Sequence, residues 1–159
     1  MGANLTADMK RVVNEQRLAF VATVCPDGTP NLSPKGTIAV WDDTHLVFAD
    51  IRSPKTISNL ELNSAIEINV VDPFARKGYR FKGTGELVSR GELFNDLLSL
   101  SRPMGRLGAK PNKPAIKRFV LVTIEKALPL ISPAYDNGSD EKSVQDYCVC
   151  YFDHLHAQE

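Results

Sequence analysis

The sequence has few of the features that would place a chain in a membrane, outside the cell or on a nucleic acid. It contains only three cysteines, an odd and small number that favours a reducing compartment over a disulfide framework. No apolar run approaches the roughly 20 residues of a membrane span, and the first residues lack the apolar region of a secretory signal. We therefore expect a cytoplasmic protein with no membrane partner.

Net charge is also absent, because 19 basic side chains balance 19 acidic ones. A balanced chain without a basic stripe has no general attraction for DNA or RNA, so we expect no nucleic-acid partner. Any anion that this protein binds must be held by a local site.

Motifs for nucleophilic catalysis and nucleotide binding are missing as well. The sequence has no Gly-x-Ser-x-Gly turn, no Walker motif and no Gly-x-Gly-x-x-Gly. Cys148, Cys150, His154 and His156 lie close together, but their spacing is unlike that of the usual zinc sites. We expect no metal there, and interpret residues 132–159 as a tail or helix that packs on the domain or on a partner.

Hydrophobic patterning predicts one domain over residues 1–159, mainly β with peripheral helices. Short turns join the first three strands, which favours an antiparallel meander. Residues 102–118 are rich in Pro, Gly, Lys and Arg and are typical of a long loop. Six strands of this kind suggest a closed antiparallel barrel in the α+β class. The predicted helices are 5–16, 54–62 and 92–101, and the predicted strands are 17–24, 31–40, 45–49, 65–71, 79–89 and 119–131.

A strand that runs directly into a helix is the most informative segment. Ser53 is a favourable N-cap, and Pro54 is favoured at the first helical position. Free backbone N–H groups and the helix dipole make such a corner suitable for a phosphate. Thr56 adds a hydroxyl and Lys55 a positive charge. An ordinary helix start with a solvated lysine remains the alternative.

A second segment, residues 31–37, combines polar side chains with strand breakers. Ser33 and Lys35 flank Pro34, which is unfavourable inside a central strand because it donates no ladder hydrogen bond. Gly36 leaves room for another molecule close to the backbone. The alternative is an edge strand with a bulge. Together, the two segments could line one mouth of the barrel.

Three stretches in this order resemble the FMN-binding split barrels related to pyridoxamine-phosphate oxidase. The resemblance covers about residues 10–130. The stretches are CPDGTPNLSPKGTIAVWDDTHLVFAD, SPKTISNLELNSAIEINVVDP and GYRFKGTGELVSRGELF.

The resemblance implies a six-stranded antiparallel split barrel that binds FMN at the interface of a homodimer. It implies that the phosphate is held by Ser53, Lys55 and Thr56. Ser33, Pro34 and Lys35 would then approach the ribityl chain or the ring edge. The backbone of Asp50 and Ile51 would bond the polar edge of the ring.

The sequence departs from the true pyridoxamine-phosphate oxidases. Ser33 stands where those enzymes have an arginine, and Pro54 with Lys55 replaces their Arg-Lys pair. Their C-terminal substrate motif is not recognisable in YFDHLHAQE. The chain is more similar to the shorter, diverse FMN-binding relatives. We expect an oxidoreductase that uses FMN to transfer electrons or hydride to a small substrate. A non-catalytic electron carrier or flavin store and a deazaflavin-binding protein are the alternatives.

Overall fold

In the part of the chain that the structure describes, alternating apolar side chains build one antiparallel sheet of seven strands with four α-helices around it. The computed structural model describes residues 3–101 and 116–157, so most of the loop predicted over residues 102–118 lies outside the described residues. The mainly β, split-barrel fold class is confirmed. The strands are β1 (Ala19–Val24), β2 (Pro30–Lys35), β3 (Ala39–Val40), β4 (His45–Asp50), β5 (Ala65–Asp72), β6 (Lys77–Val88) and β7 (Arg118–Ile131). The helices are α1 (Ala7–Gln16), α2 (Pro54–Leu62), α3 (Glu92–Ser101) and α4 (Glu141–His156).

The sheet curls because its two terminal strands are neighbours in sequence. The strand order is β2-β1-β5-β6-β7-β4-β3, yet only residues 36–38 separate β2 from β3. Four Cα–Cα steps span at most about 14 Å, so the two ends of the sheet must lie close together. The result is a barrel that is open between β2 and β3.

The prediction of six strands was wrong by one, because the strand expected over residues 31–40 is two strands. The chain leaves the sheet after Lys35 and rejoins it at Ala39 on the opposite end. Between them, the Thr37 hydroxyl accepts a hydrogen bond from the Ala49 backbone N–H at 3.0 Å. A side chain thus takes the place of a ladder contact where the backbone turns away.

The pairings of the predicted meander are present, but its middle strand is divided between the two ends of the sheet. In the described sheet β2 pairs only with β1, and β3 pairs only with β4. The long strand β7 lies between β4 and β6 and pairs with both. The turn at residues 25–29 joins β1 to β2 and the turn at residues 41–44 joins β3 to β4, so both predicted turns join paired strands.

The barrel interior is filled by aliphatic and aromatic side chains that reach it from the strands, α1 and α2. Phe48 and Phe81 are completely buried, and each fully buried side chain of this size contributes roughly 1.5–3 kcal/mol. Helix α2 presents Ile57 and Leu60 to this core. The packing fixes the start of α2 against β1 and β2, where the candidate site lies.

Helix α4 forms the C-terminal part of the described chain and buries only two of its side chains. Val144 and Cys148 are buried, whereas Tyr147 and Tyr151 on neighbouring turns are exposed. Lys77 of β6 pairs with Glu141 in the first turn at 2.9 Å. Among the described helices, none is long and apolar enough to cross a membrane.

Gly83 provides a test of the β6–β7 packing. The strands slip register between Lys82 and Gly83, and a Cβ on Gly83 would lie 1.8 Å from the Thr123 carbonyl oxygen. Because that oxygen belongs to the backbone of a central strand, Gly83→Ala should lower the free energy of unfolding by about 3 kcal/mol or more, measured by urea denaturation.

Gly36→Ala is the matched control for that substitution. A Cβ at Gly36 meets nothing within 4 Å, so the free energy of unfolding should change by less than about 0.5 kcal/mol. Equal urea midpoints for the two variants would contradict the close approach of the strands at Gly83.

Candidate functional site

The structure brings the two polar segments of the sequence into direct contact. Alternation along β2 directs Asn31, Ser33 and Lys35 to the inner side of the hairpin, next to the start of α2. Ser33 Oγ lies 3.1 Å from Thr56 Oγ1, and Asn31 Nδ2 lies 3.5 Å from the same hydroxyl. Lys35 Nζ donates to Ser33 Oγ and, at 3.4 Å, to the Pro34 carbonyl oxygen. We call Asn31, Ser33, Lys35 and Thr56 the hydroxyl–lysine cluster.

Lys35 is a buried cation at the end of β2. Its side chain is 6% exposed, and its ammonium lies 5.9 Å from the centre of the Phe48 ring. No ion pair within 4.0 Å joins it to a carboxylate of the described residues. Burial lowers the pKa of Lys35, although the nearby carboxylate of Asp50 acts in the opposite direction. Buried charges are normally paired, so this position favours an anionic ligand.

The hydrogen bonds of the cluster leave a hydroxyl proton for such a ligand. An ammonium group can only donate, so Ser33 Oγ accepts from Lys35. Ser33 and Thr56 share one proton in the bond between their hydroxyls. The second hydroxyl proton of the pair is then available to an oxygen atom of a ligand. The cluster therefore presents donors rather than acceptors.

Thr23 and Asn59, which the sequence analysis does not single out, form hydrogen bonds next to the cluster. Thr23 Oγ1 accepts from Asn31 Nδ2 at 3.2 Å and from Asn59 Nδ2 at 3.0 Å. Asn59 is completely buried, and its Oδ1 has no hydrogen-bond partner among the residues that the structure describes. A signal was present, because Asn59 follows Thr56 by three residues on the helix face that carries Ile57 and Leu60.

Ser53 does not cap α2 with its side chain. It is buried and precedes Pro54, the first residue of the helix, but makes no side-chain hydrogen bond to the first turn. The first N–H groups of a helix have no partner inside the helix. The start of α2 can therefore donate to an anion beside Thr56.

The remaining predicted site residues lie around the cluster rather than in it. Lys55 is exposed in the first turn of α2, and the side chain of Pro34 is exposed on the outer side of β2. Asp50 ends β4, and its carboxylate lies 3.4 Å from Arg118 Nε. Ile51 follows it and is half exposed.

A separate cleft of about 410 Å³ lies between α1, the start of β6 and α4. It contains none of the predicted site residues. Its two cations are already neutralised, because Arg11 pairs with Asp8 and Lys77 pairs with Glu141. Lys35 has no such ion pair among the described residues, so we place the candidate anion site there and not in this cleft.

The C-terminal Cys and His residues do not form a metal site in the structure. Cys148 is buried and Cys150 is exposed. Within residues 3–101 and 116–157, no group of three or more His, Cys, Asp or Glu side chains is arranged to hold a metal ion.

A barrel that is open between β2 and β3, with a helix starting beside its mouth, defines a split-barrel protein. Residues 5–129 match the family described as pyridoxamine 5'-phosphate oxidase. Because this match covers most of the sequence, the chain belongs to that family.

Solved structures show the same fold. The chain is 34% identical to HupZ of Group A Streptococcus, with a TM-score of 0.68 over 80% of this chain and 94% of that one. An FMN-binding protein from Syntrophomonas wolfei is 19% identical, with a TM-score of 0.64 over 79% and 85% of the two chains. HutZ, the heme storage protein from Vibrio cholerae, is 20% identical, with a TM-score of 0.59 over 79% and 94%. No curated protein matches the chain.

Removing the Lys35 charge should stabilise the ligand-free protein. Lys35→Met keeps the length of the side chain and removes a desolvated cation, so the free energy of unfolding should rise by about 1 kcal/mol. Thermal unfolding of the ligand-free protein measures this change. Lys55→Met is the control, because the same substitution at an exposed position should leave the melting temperature nearly unchanged.

The gain should depend on pH in a defined direction. The pKa of Lys35 is lowered in the folded protein from its ordinary value of 10.5, so the unfolded chain binds more protons between the two values. The wild type should therefore gain stability as pH rises from the folded pKa towards 10.5. The advantage of Lys35→Met should shrink over that interval, and a constant advantage would contradict the assigned desolvation.

Proposed function

We propose that this protein is an FMN-binding flavoprotein that works as a homodimer in the cytoplasm. The observation that carries the proposal is the buried, uncompensated Lys35 beside the Ser33 and Thr56 hydroxyls at the start of α2. A phosphate monoester carries close to two negative charges and needs charge-assisted donors of this kind. Family membership supports the choice of FMN, as does the FMN-binding protein among the related structures.

The proposed phosphate site combines both polar segments. Ser53, Lys55 and Thr56 would hold the phosphate from α2, with Ser33 and Lys35 donating from β2. The structure supports this grouping because Ser33 and Thr56 are already in hydrogen-bond contact.

The flavin ring would lie towards the corner where β4 ends. The backbone of Asp50 and Ile51 would bond its polar edge there. Pro34 would contribute through its position between Ser33 and Lys35, with its side chain facing outward. FMN supplies the capacity to accept and donate electrons or hydride, while the chain binds and orients it. No protein acid or base need take part in electron transfer, because the flavin itself carries the redox chemistry.

We propose that this flavoprotein is an oxidoreductase acting on a small substrate; an electron carrier is the second candidate within the same class. Adding NADH or NADPH to the FMN-loaded protein separates them. A reductase should bleach the flavin and recover its colour with an acceptor, whereas a carrier should be reduced only by a protein partner.

The outer side of the β1–β2 hairpin supports the proposed homodimer. Its side chains are apolar at every position, and Leu32 is 64% exposed. An apolar sheet face beside the candidate site is suited to pairing with a second copy, and two-fold pairing is the commonest form of homo-oligomer. The outward residues of this hairpin face are Phe20, Ala22, Val24, Pro30, Leu32 and Pro34.

The absorption spectrum of the purified protein, before and after FMN is added, tests the central claim. We expect the flavin spectrum and quenching of FMN fluorescence at micromolar concentration. No binding under these conditions would overturn the proposal. A deazaflavin spectrum, or the Soret band of a heme as in a heme storage protein, would replace FMN with another cofactor of the same barrel.

Lysine substitutions should separate recognition of the phosphate from recognition of the ring. Lys35→Met removes a charged hydrogen bond worth roughly 1.5–3 kcal/mol, so FMN affinity should fall roughly 10- to 150-fold. Lys55→Ala should lower FMN affinity only severalfold, because that lysine is exposed to solvent. Riboflavin lacks the phosphate, so titration calorimetry should show little change in its affinity. Equal weakening of FMN and riboflavin would place the phosphate elsewhere.

A charge on the hairpin face should dissociate the dimer. Leu32→Asp puts a carboxylate on the proposed interface. Light scattering should then report a monomer, and FMN titration should show weaker binding. Leu62→Asp is the matched control, because Leu62 is 74% exposed at the end of α2, away from the hairpin face. A wild type that binds FMN as a monomer would contradict the proposed assembly.

A further inference from the structure

Lys35 shares the inner face of the barrel with a carboxylate that does not pair with it. Alternate residues of a strand point to one side, so Phe48 and Asp50 lie on the same face of β4. Lys35 lies over the Phe48 ring, and Asp50 follows Phe48 by two residues, roughly 7 Å along the strand. The Asp50 carboxylate is close enough to raise the pKa of Lys35, yet no ion pair within 4.0 Å joins the two.

Arg118 holds the Asp50 carboxylate instead. Asp50 and Arg118 face each other in the β4–β7 ladder, which places their side chains together. Arg118 Nε lies 3.4 Å from Asp50 Oδ2, and Arg118 Nη1 lies 3.3 Å from Glu61 Oε1 near the end of α2. The Asp50 side chain is 13% exposed and that of Glu61 is 54% exposed. Asp50 is therefore the carboxylate that depends on the arginine for its compensation.

We propose that Arg118 is a positioning residue that holds Asp50 away from Lys35 and so keeps Lys35 available to a ligand anion. This inference rests on the proposed function, because the anion it concerns is the FMN phosphate. Without Arg118, the Asp50 carboxylate would lose its ion pair, and Lys35 lies close enough to attract it. Partly buried charges are screened less than exposed ones, so that pair would form and compete with the phosphate.

The charged residues at the end of β4 determine which basic side chain pairs with the Asp50 carboxylate. Asp50 lies near two basic residues, Lys35 and Arg118, and the register of β4 with β7 places it opposite Arg118. Glu61 adds a second acceptor that holds the guanidinium at the corner between β7 and α2. Arg118 thus ties together the end of β4, the start of β7 and the helix whose first turn carries Thr56.

A ligand-free measurement tests the inference independently of FMN. Lysine labelled with ¹³C at its ε-carbon reports the titration of Lys35 by NMR, and Lys35→Met assigns the signal. In Arg118→Gln the released Asp50 should raise the pKa of Lys35, and in Arg118→Gln/Asp50→Asn the pKa should fall again. An unchanged Lys35 titration in Arg118→Gln would overturn the inference even if FMN binds as proposed.

FMN titrations then test the consequence for binding. Arg118→Gln should weaken FMN roughly tenfold and leave riboflavin within about twofold. Asp50→Asn should strengthen FMN binding severalfold, because it removes a negative charge near Lys35 that competes with the phosphate. The double variant should return to within about threefold of the wild type, the coupling expected when one residue acts through the other.

Other results of these titrations would show which part of the proposal is wrong. If the double variant binds FMN as weakly as Arg118→Gln, Arg118 contacts the anion itself and the positioning role is wrong. If riboflavin weakens together with FMN, Arg118 only supports the local fold. Glu61→Gln is the matched control: it removes the exposed partner of Arg118 and should change FMN affinity by less than about twofold. If no variant and no wild type binds FMN, the proposed function fails, while the NMR titration still decides the inference.

Discussion

The short connection of residues 36–38 constrains the shape of the whole sheet. Because β2 and β3 lie at opposite ends of the strand order, three residues can join them only if the sheet curls through all seven strands. The curl carries β2 to the neighbourhood of β4, and Lys35 comes to lie over Phe48. The buried charge of the candidate site is thus a direct result of how the barrel closes.

The buried charge of Lys35 lowers the stability of the folded protein when no ligand is bound. Desolvation disfavours the protonated form of Lys35, and the hydroxyl of Ser33 and the carbonyl of Pro34 compensate it only in part. Asn59, with an unpartnered oxygen in the core, adds a second unsatisfied group nearby. Polar groups of this kind are usually retained where binding requires them. The apolar core of the barrel stabilises the fold enough to tolerate these buried polar groups.

Local patterns in the sequence predicted the elements of the site better than their arrangement. The helix start at Pro54 and the inner face of β2 follow from capping preferences and from period-two alternation, which are local. Whether Lys35 or Lys55 is the buried lysine depends on how the sheet curls, and sequence spacing does not encode the curl. Gly36 marks the break after Lys35, but the sequence predicts one strand over residues 31–40, because a bulge within a strand and an exit from the sheet use the same residue types.

The prolines of β2 have a consequence for the behaviour of the protein at high concentration. A split barrel has free edges, and an unpaired edge is a template for addition of another chain. Pro30 and Pro34 cannot donate to the ladder with β1, so their nitrogen positions lie on the free edge and offer no hydrogen to an incoming strand. Of the alternating positions on that edge, only Leu32 retains an N–H group. The protein can therefore expose an apolar face next to its barrel opening and still resist growth into fibrils from that edge.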